Sequence, residues 1–133
     1  MHGYMGKLLV VDLTSGRIKD EPLNEGYVQQ FIGGSGLACR YLYDTLDPDT
    51  SPLNPASPLF FMAGPLTGTR APSCGRFVVC ARSPLTGLWG EANSGGFFGG
   101  LFSASTSITT AGLRPRTACD ARLIPFTFPF TGE

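Results

Sequence analysis

The 133-residue chain carries ten basic and ten acidic side chains that cancel, and its mean hydropathy is +0.08, so it is at most one modest domain with a small core. No run of like charge offers a footprint for nucleic acid or an anionic membrane surface, and no apolar stretch approaches the roughly 20 residues of a bilayer span. The opening "MHGYMGKLLVVDL" lacks the basic region and long apolar stretch of a signal peptide, which points to the cytoplasm.

The branched run Leu8 to Val11, the turn Thr14-Ser15-Gly16 and a shorter run around Ile18 predict a hairpin in which Gly16 takes positive φ. Tyr27, Val28, Phe31 and Ile32 recur at helical spacing behind Asn24 as a cap, with Gly33 as the stop. A second helix follows through Leu37, Ala38, Tyr41, Leu42 and Leu46, and ends before Pro48, which disfavours helix at Asp47. The four prolines of "DPDTSPLNPASP" make residues 47–58 a loop. "LFFMAG" then reads as a buried strand. In "GRFVVCARS" the period of two puts Phe77, Val79 and Ala81 on the expected core face, and turns Arg76 and Arg82 toward solvent or an anion.

Three glycine-rich runs are candidates for cradling an anion: "GGSG" at 33–36, "GPLTG" at 64–68 and "NSGGFFGG" at 93–100. The first lies between two helices rather than after a strand, and Cys39 stands where a dinucleotide fingerprint needs its third glycine, so it reads as a helix break. The other two end strands in polar turns whose backbone N–H groups can converge on an anion, with an adjacent arginine as a bidentate clamp. Turn formation alone accounts for the same composition, and Thr67 and Thr86 are open between ligand contact and a local turn bond. The turn PLTG occurs twice, at Pro65–Gly68 and Pro84–Gly87, either as similar turns at two ends of one sheet or as two walls of a site.

Cys39, Cys74, Cys80 and Cys119 form no C-x-x-C pair and are expected to be buried reduced thiols; His2, the single histidine, lies at the terminus. No Ser/His/Asp set is present and no paired carboxylates flank a glycine-rich turn, where Glu91 stands alone and reads as a solvated loop residue rather than a general base. From its residues alone the chain is an α+β cofactor-cradle candidate without a catalyst of its own.

The ordered words "GRIKDEPL", "FIGGSGLACRYLYD", "DPDTSPLNP", "FMAGPLTGTRAP", "GRFVVCARSPLTG" and "EANSGGFFG" together resemble the N-terminal domain of tungsten-dependent aldehyde ferredoxin oxidoreductases, over about residues 6–101. The resemblance implies an α+β fold: a mixed β-sheet half-domain with two short helices, like the first half of the family's pterin-binding base domain. It implies a base on which a tungsten (or molybdenum) bis-pterin sits, with Arg76, Asn93 and Gly95 as the cofactor-binding positions and the PLTG turns as scaffold around them. Dithiolene sulfurs hold the metal in that family. No metal ligand and no catalytic residue is therefore expected here, and the 4Fe-4S cysteines belong to later domains. By the same resemblance the complete enzyme oxidises an aldehyde to a carboxylic acid and passes electrons to ferredoxin. The chain is then an inactive fragment supplying part of the cofactor seat; the alternative is a non-catalytic pterin-binding or assembly module acting with a partner subunit.

Beyond Leu101 the family pattern of a helix and an "A-G-Y-D-x-I-V-V-x-G" strand is replaced by "FSASTSITTAGLRPRTACDARLIPFTFPFTGE", which shows no sustained helical or strand period. Two units follow: residues 1–102 as a partial cradle domain, and 103–133 as a non-matching tail. The tail reads as low-complexity disorder, as the product of a frame shift near codon 102, or as a paralogue's own ending, with truncation or frame shift preferred.

Overall fold

The computed structural model describes residues 3–100 and 107–111. The chain forms β1 (Lys7–Asp12), β2 (Arg17–Pro22), α1 (Glu25–Phe31), α2 (Gly34–Thr45), β3 (Pro58–Ala63), β4 (Phe77–Arg82), β5 (Trp89–Ser94) and β6 (Ser107–Ala111). The strands make one sheet in the order β2-β1-β6-β3-β4-β5. Its pairings are antiparallel except for β1 with β6, so the sheet is mixed and the fold is α+β with two short helices, as expected.

The β1–β2 hairpin is set by its turn. Gly16 adopts φ +70° and donates its N–H to Asp12 O at 2.8 Å. Asp12 also accepts from the Ser15 hydroxyl at 2.6 Å and from Thr14 N at 2.9 Å, and these bonds, the Ser15 hydroxyl first, hold its carboxyl below the ordinary range. Asn24 caps α1 by accepting from Tyr27 N at 3.2 Å. The stop differs from expectation: Gly33 is extended at φ 170°, and the left-handed residue is Ile32 at φ 62°. Its carbonyl accepts from the Tyr4 hydroxyl. The helix break is thus confined to Ile32 and Gly33, and Gly34 to Gly36 already belong to α2.

Ala38 and Leu42 of α2 bury against Leu8, Phe60, Met62, Val78 and Cys80 of the sheet, each large side chain contributing on the order of 1.5–3 kcal/mol by leaving water, and Leu37 of the same helix is buried as well. This reverses the expected face of β4. Val78 and Cys80 are buried, whereas Phe77, Val79 and Ala81 are half-buried on the face away from the helices. Period two fixes which residues share a face, but the docking of α2 decides which face is core. Arg82 is half-buried and its donors are used within the chain: its Nε donates to Gly87 O at 2.7 Å and its Nη1 to Pro48 O at 2.7 Å and Thr50 O at 2.8 Å, tying two loops together. Glu91 lies exposed on strand β5, not in a loop.

Two further expectations change. Of the three described cysteines, Cys80 is fully buried, Cys39 is exposed and Cys74 is half-exposed. Ser107–Ala111, in a stretch without a readable strand period, fills the slot between β1 and β3. Two parallel-or-antiparallel partners supply its ladder from both sides, so backbone pairing specifies the strand where side-chain alternation does not. His2, Cys119 and the remainder of the 103–133 segment lie outside the described residues.

Candidate functional site

The antiparallel order of β3, β4 and β5 brings the end of β3, the start of β4 and the end of β5 to one end of the sheet. The first PLTG turn leaves β3 there; the second joins β4 to β5 at the opposite end. Both turns finish on a left-handed glycine, Gly68 at φ +79° and Gly87 at φ +71°. The repeat is therefore architectural, and only the first copy can border the same site as Arg76.

Arg76, immediately before β4, and Asn93, on β5, meet: Arg76 Nε donates to Asn93 Oδ1 at 2.8 Å. The register pairs Phe77 with Ser94 and Val78 with Asn93, which places Gly95 beside Arg76. The three sequence-predicted positions thus converge and are all exposed. The two terminal nitrogens of Arg76 and the Asn93 amide nitrogen have no hydrogen-bond partner among the described residues. What the pair offers outward is a set of donors, one group cationic, suited to an anionic or acceptor-rich ligand.

The surrounding glycines divide by the reason for their smallness. A Cβ on Gly99 would collide with the Gly75 carbonyl, and one on Gly68 would lie 2.9 Å from Gly100 O. Those glycines let three backbone segments pack directly, so the turn-forming reading accounts for them. Gly95 is different: it lacks a left-handed φ, and its Cβ would meet only Arg76 Cγ at an ordinary 3.9 Å. Neither backbone conformation nor packing within the described residues requires glycine there, so open space lies next to the donor pair, and a flat ligand could approach the backbone closely. Beside it lies a hollow of about 590 Å³ bordered by Gly68, Cys74, Gly75, Gly96, Phe97 and Gly100. Phe97 is 96% exposed, while the Phe98 ring packs 5.1 Å from that of Phe77. The hollow is lined mainly by glycines and apolar groups, and it adjoins the donor pair through Gly75 next to Arg76 and Gly96 next to Gly95. Among the described residues no group of three or more His, Cys, Asp or Glu side chains could hold a metal ion.

Thr67 was not resolved by sequence reasoning between ligand contact and turn bond. It is buried, with 8% of its surface exposed. Its hydroxyl accepts from Gly64 N at 3.1 Å and donates to Arg76 O at 3.0 Å. The second partner, nine residues away, could not be read from local turn chemistry. Thr86, in the second turn, is exposed and makes only local bonds, as in Leu88 N to its Oγ1 at 3.3 Å.

The sequence profile of the aldehyde ferredoxin oxidoreductase N-terminal domain matches residues 8–106. The chain belongs to this family. Among its relatives, the tungsten-containing aldehyde ferredoxin oxidoreductase of Pyrococcus abyssi is 48% identical over 99 residues, covering 74% of this chain and 16% of that protein. The WOR-like subunit of an aliphatic sulfonate oxidoreductase from Pyrococcus furiosus is 39% identical over 71 residues, covering 51% and 11%. In three dimensions the aldehyde ferredoxin oxidoreductase-type domain is similar to the active-site complex BamBC of benzoyl-coenzyme A reductase bound to 1,5-dienoyl-CoA, with TM-score 0.80, 34% identity, and coverage of 86% of this chain and 18% of that one. The chain thus spans about one-sixth of the length of the curated aldehyde ferredoxin oxidoreductases that it matches. No helix among the described residues is long and apolar enough to cross a membrane.

Proposed function

We propose that this chain supplies one part of the seat for a tungsten (or molybdenum) bis-pterin in a cytoplasmic, aldehyde-oxidising enzyme, and has no activity by itself. The observation that carries this reading is the outward-facing donor pair Arg76–Asn93 beside a glycine, Gly95, that the chain's own packing does not require. Arg76 would bind acceptor or anionic groups of the pterin through its free terminal nitrogens, Asn93 would hold the guanidinium at the angle set by its Oδ1, and Gly95 would admit the ring system close to the backbone. When bound, the metal bis-pterin would supply the two-electron change that oxidises an aldehyde and water to a carboxylic acid, with the electrons leaving singly through a 4Fe-4S cluster to ferredoxin. Nothing in the seat chooses the substrate: relatives of this one domain are named for aldehydes, an aliphatic sulfonate and benzoyl-coenzyme A. Aldehyde is favoured because the aldehyde enzymes are the more identical relatives, and substrate choice belongs to other parts of the protein.

The purified chain tests the seat through its pterin fluorescence and tungsten content, compared with those of Arg76→Ala. A content in the wild type well above that of the variant supports the reading; equal contents, including none in either, reject it for this chain. We also propose that the reading frame shifts near codon 102, close to where the family match ends at residue 106. Genomic DNA read in all three forward frames is expected to show "A-G-Y-D" and later cluster cysteines downstream, and their absence in every frame would show the 103–133 text to be the chain's own.

A further inference from the structure

Thr67 is the buried polar side chain nearest the donor pair, and both halves of its hydroxyl are in use. The oxygen accepts from Gly64 N at 3.1 Å while the hydrogen goes to Arg76 O at 3.0 Å. The turn it sits in is closed independently by Thr67 N to Gly64 O at 3.1 Å. The adjoining Gly68 N reaches Cys74 O at 3.1 Å. The first PLTG turn is therefore stitched twice across to the segment entering β4, once at Cys74 and once at Arg76. The Cys74 link is backbone to backbone and uses no side-chain group. The Arg76 link depends on one hydroxyl.

We propose that Thr67 is a positioning residue for Arg76: its hydroxyl pins the Arg76 carbonyl to the β3 end of the sheet, and so fixes the direction from which the guanidinium meets Asn93 and presents its two free nitrogens. The proposal rests on the reading of Arg76 as a ligand-facing donor. The physical reason is the position of Arg76 itself. It stands just before the first paired residue of β4, at the edge of the ladder, since the register begins at Phe77 opposite Ala63 and Ser94, and Thr67 Oγ1 adds a side-chain bond to its carbonyl there. An arginine at a less firmly held strand end would sample several rotamers, and its donors would be poorly preorganised. The second PLTG copy serves as an internal contrast: Thr86 occupies the same place in the turn, is exposed, and its bonds among the described residues stay between residues 83 and 88.

The test reads the Arg76 Nε–H directly by nuclear magnetic resonance of the full chain. In the wild type this proton is engaged with Asn93 Oδ1 and is expected to exchange more slowly than that of an unbonded arginine. Thr67→Val keeps the shape and removes the hydroxyl. It is expected to speed Arg76 Nε–H exchange by about tenfold, the size of effect that corresponds to losing roughly one hydrogen bond's net contribution. Thr67→Ser, which keeps the hydroxyl, is expected to return the rate to within about threefold of the wild type, inside the scatter of a conservative change. A Thr67→Val protein that melts at a lower temperature but leaves the Arg76 Nε–H rate unchanged overturns the proposal, because Thr67 then only supports the turn. Should Thr67→Val not fold, the wild type decides. The Gly64 N–H and the Arg76 Nε–H are expected to share one opening equilibrium within about threefold, and opening of the arginine proton roughly tenfold more often than the amide overturns the link. These outcomes are separate from the fate of the pterin seat. Equal pterin content in the wild type and Arg76→Ala rejects the seat, whatever the exchange rates do.

Discussion

Arg76 and Asn93, seventeen residues apart in sequence, meet through one bond from Arg76 Nε to Asn93 Oδ1 at 2.8 Å. The bond holds an exposed guanidinium by one edge and leaves the other facing outward. Because both residues are exposed, the bond contributes little to the fold. Asn93→Ala is expected to change stability by no more than about 0.5 kcal/mol, the usual range for a surface substitution. The same variant is expected to lower pterin content several-fold by releasing the guanidinium. Urea unfolding and pterin fluorescence on one preparation check both halves, and a large loss of stability would show the pair to be structural.

Gly95 and Gly99 stand four residues apart and are expected to answer oppositely to the same substitution. Gly99→Ala drives a methyl group into the Gly75 carbonyl and is expected to destabilise by about 1–3 kcal/mol or more, as overpacking does. Gly95→Ala has room for its methyl and is expected to leave the unfolding midpoint within about 0.5 kcal/mol, while reducing pterin content. If Gly95→Ala also retained full pterin content, the open space beside Arg76 would have no ligand to admit.

Burial pushes the Cys80 thiol up to about 12 from an ordinary value near 9, with smaller contributions from the Glu91 and Cys39 charges. The folded state therefore binds a proton that the unfolded chain has already lost between these two values. Stability from this group is fully present below about pH 9 and falls as pH rises toward about pH 12. Cys80→Ala is expected to flatten that part of the stability profile. In native protein at pH 8, an alkylating reagent is expected to label exposed Cys39 and spare Cys80, as mass spectrometry of the peptides would report. Rapid native labelling of Cys80 would contradict its burial.

Strand β6 joins β2-β1 to β3-β4-β5, and Ile108 stands opposite Leu9 on one side and Phe61 on the other. A proline there removes a backbone donor from a central strand. Ile108→Pro is expected to lower the melting temperature by about 5 °C or more, the scale of a 1 kcal/mol loss in a domain of this size. A melting curve superimposable on the wild type would show that the two halves of the sheet hold without this strand.

Much of the fold was legible in the residues. The hairpin at Gly16, the Asn24 cap, both helices and strand β3 follow from turn chemistry and periodicity, which act within a few residues. Strand β5 carries no such signal: Trp89–Ser94 is nearly all exposed and has little alternation, and it exists because β4 offers it a ladder. Strand β6 is a stronger case of the same cause.

The candidate site divides in the same way. Ordered motifs over nearly a hundred residues identified the family, and the same motifs nominate Arg76, Asn93 and Gly95 as candidates, because side-chain identities survive in linear order. That the three converge, that Arg82 does not join them, that the two PLTG turns lie at opposite ends of the sheet, and that Thr67 reaches Arg76 were decided by tertiary structure alone. Strand order, register and the choice of face by α2 are set by contacts between segments far apart in the chain. Local composition encodes which residues can form a strand or turn, but carries no record of the neighbour each will meet.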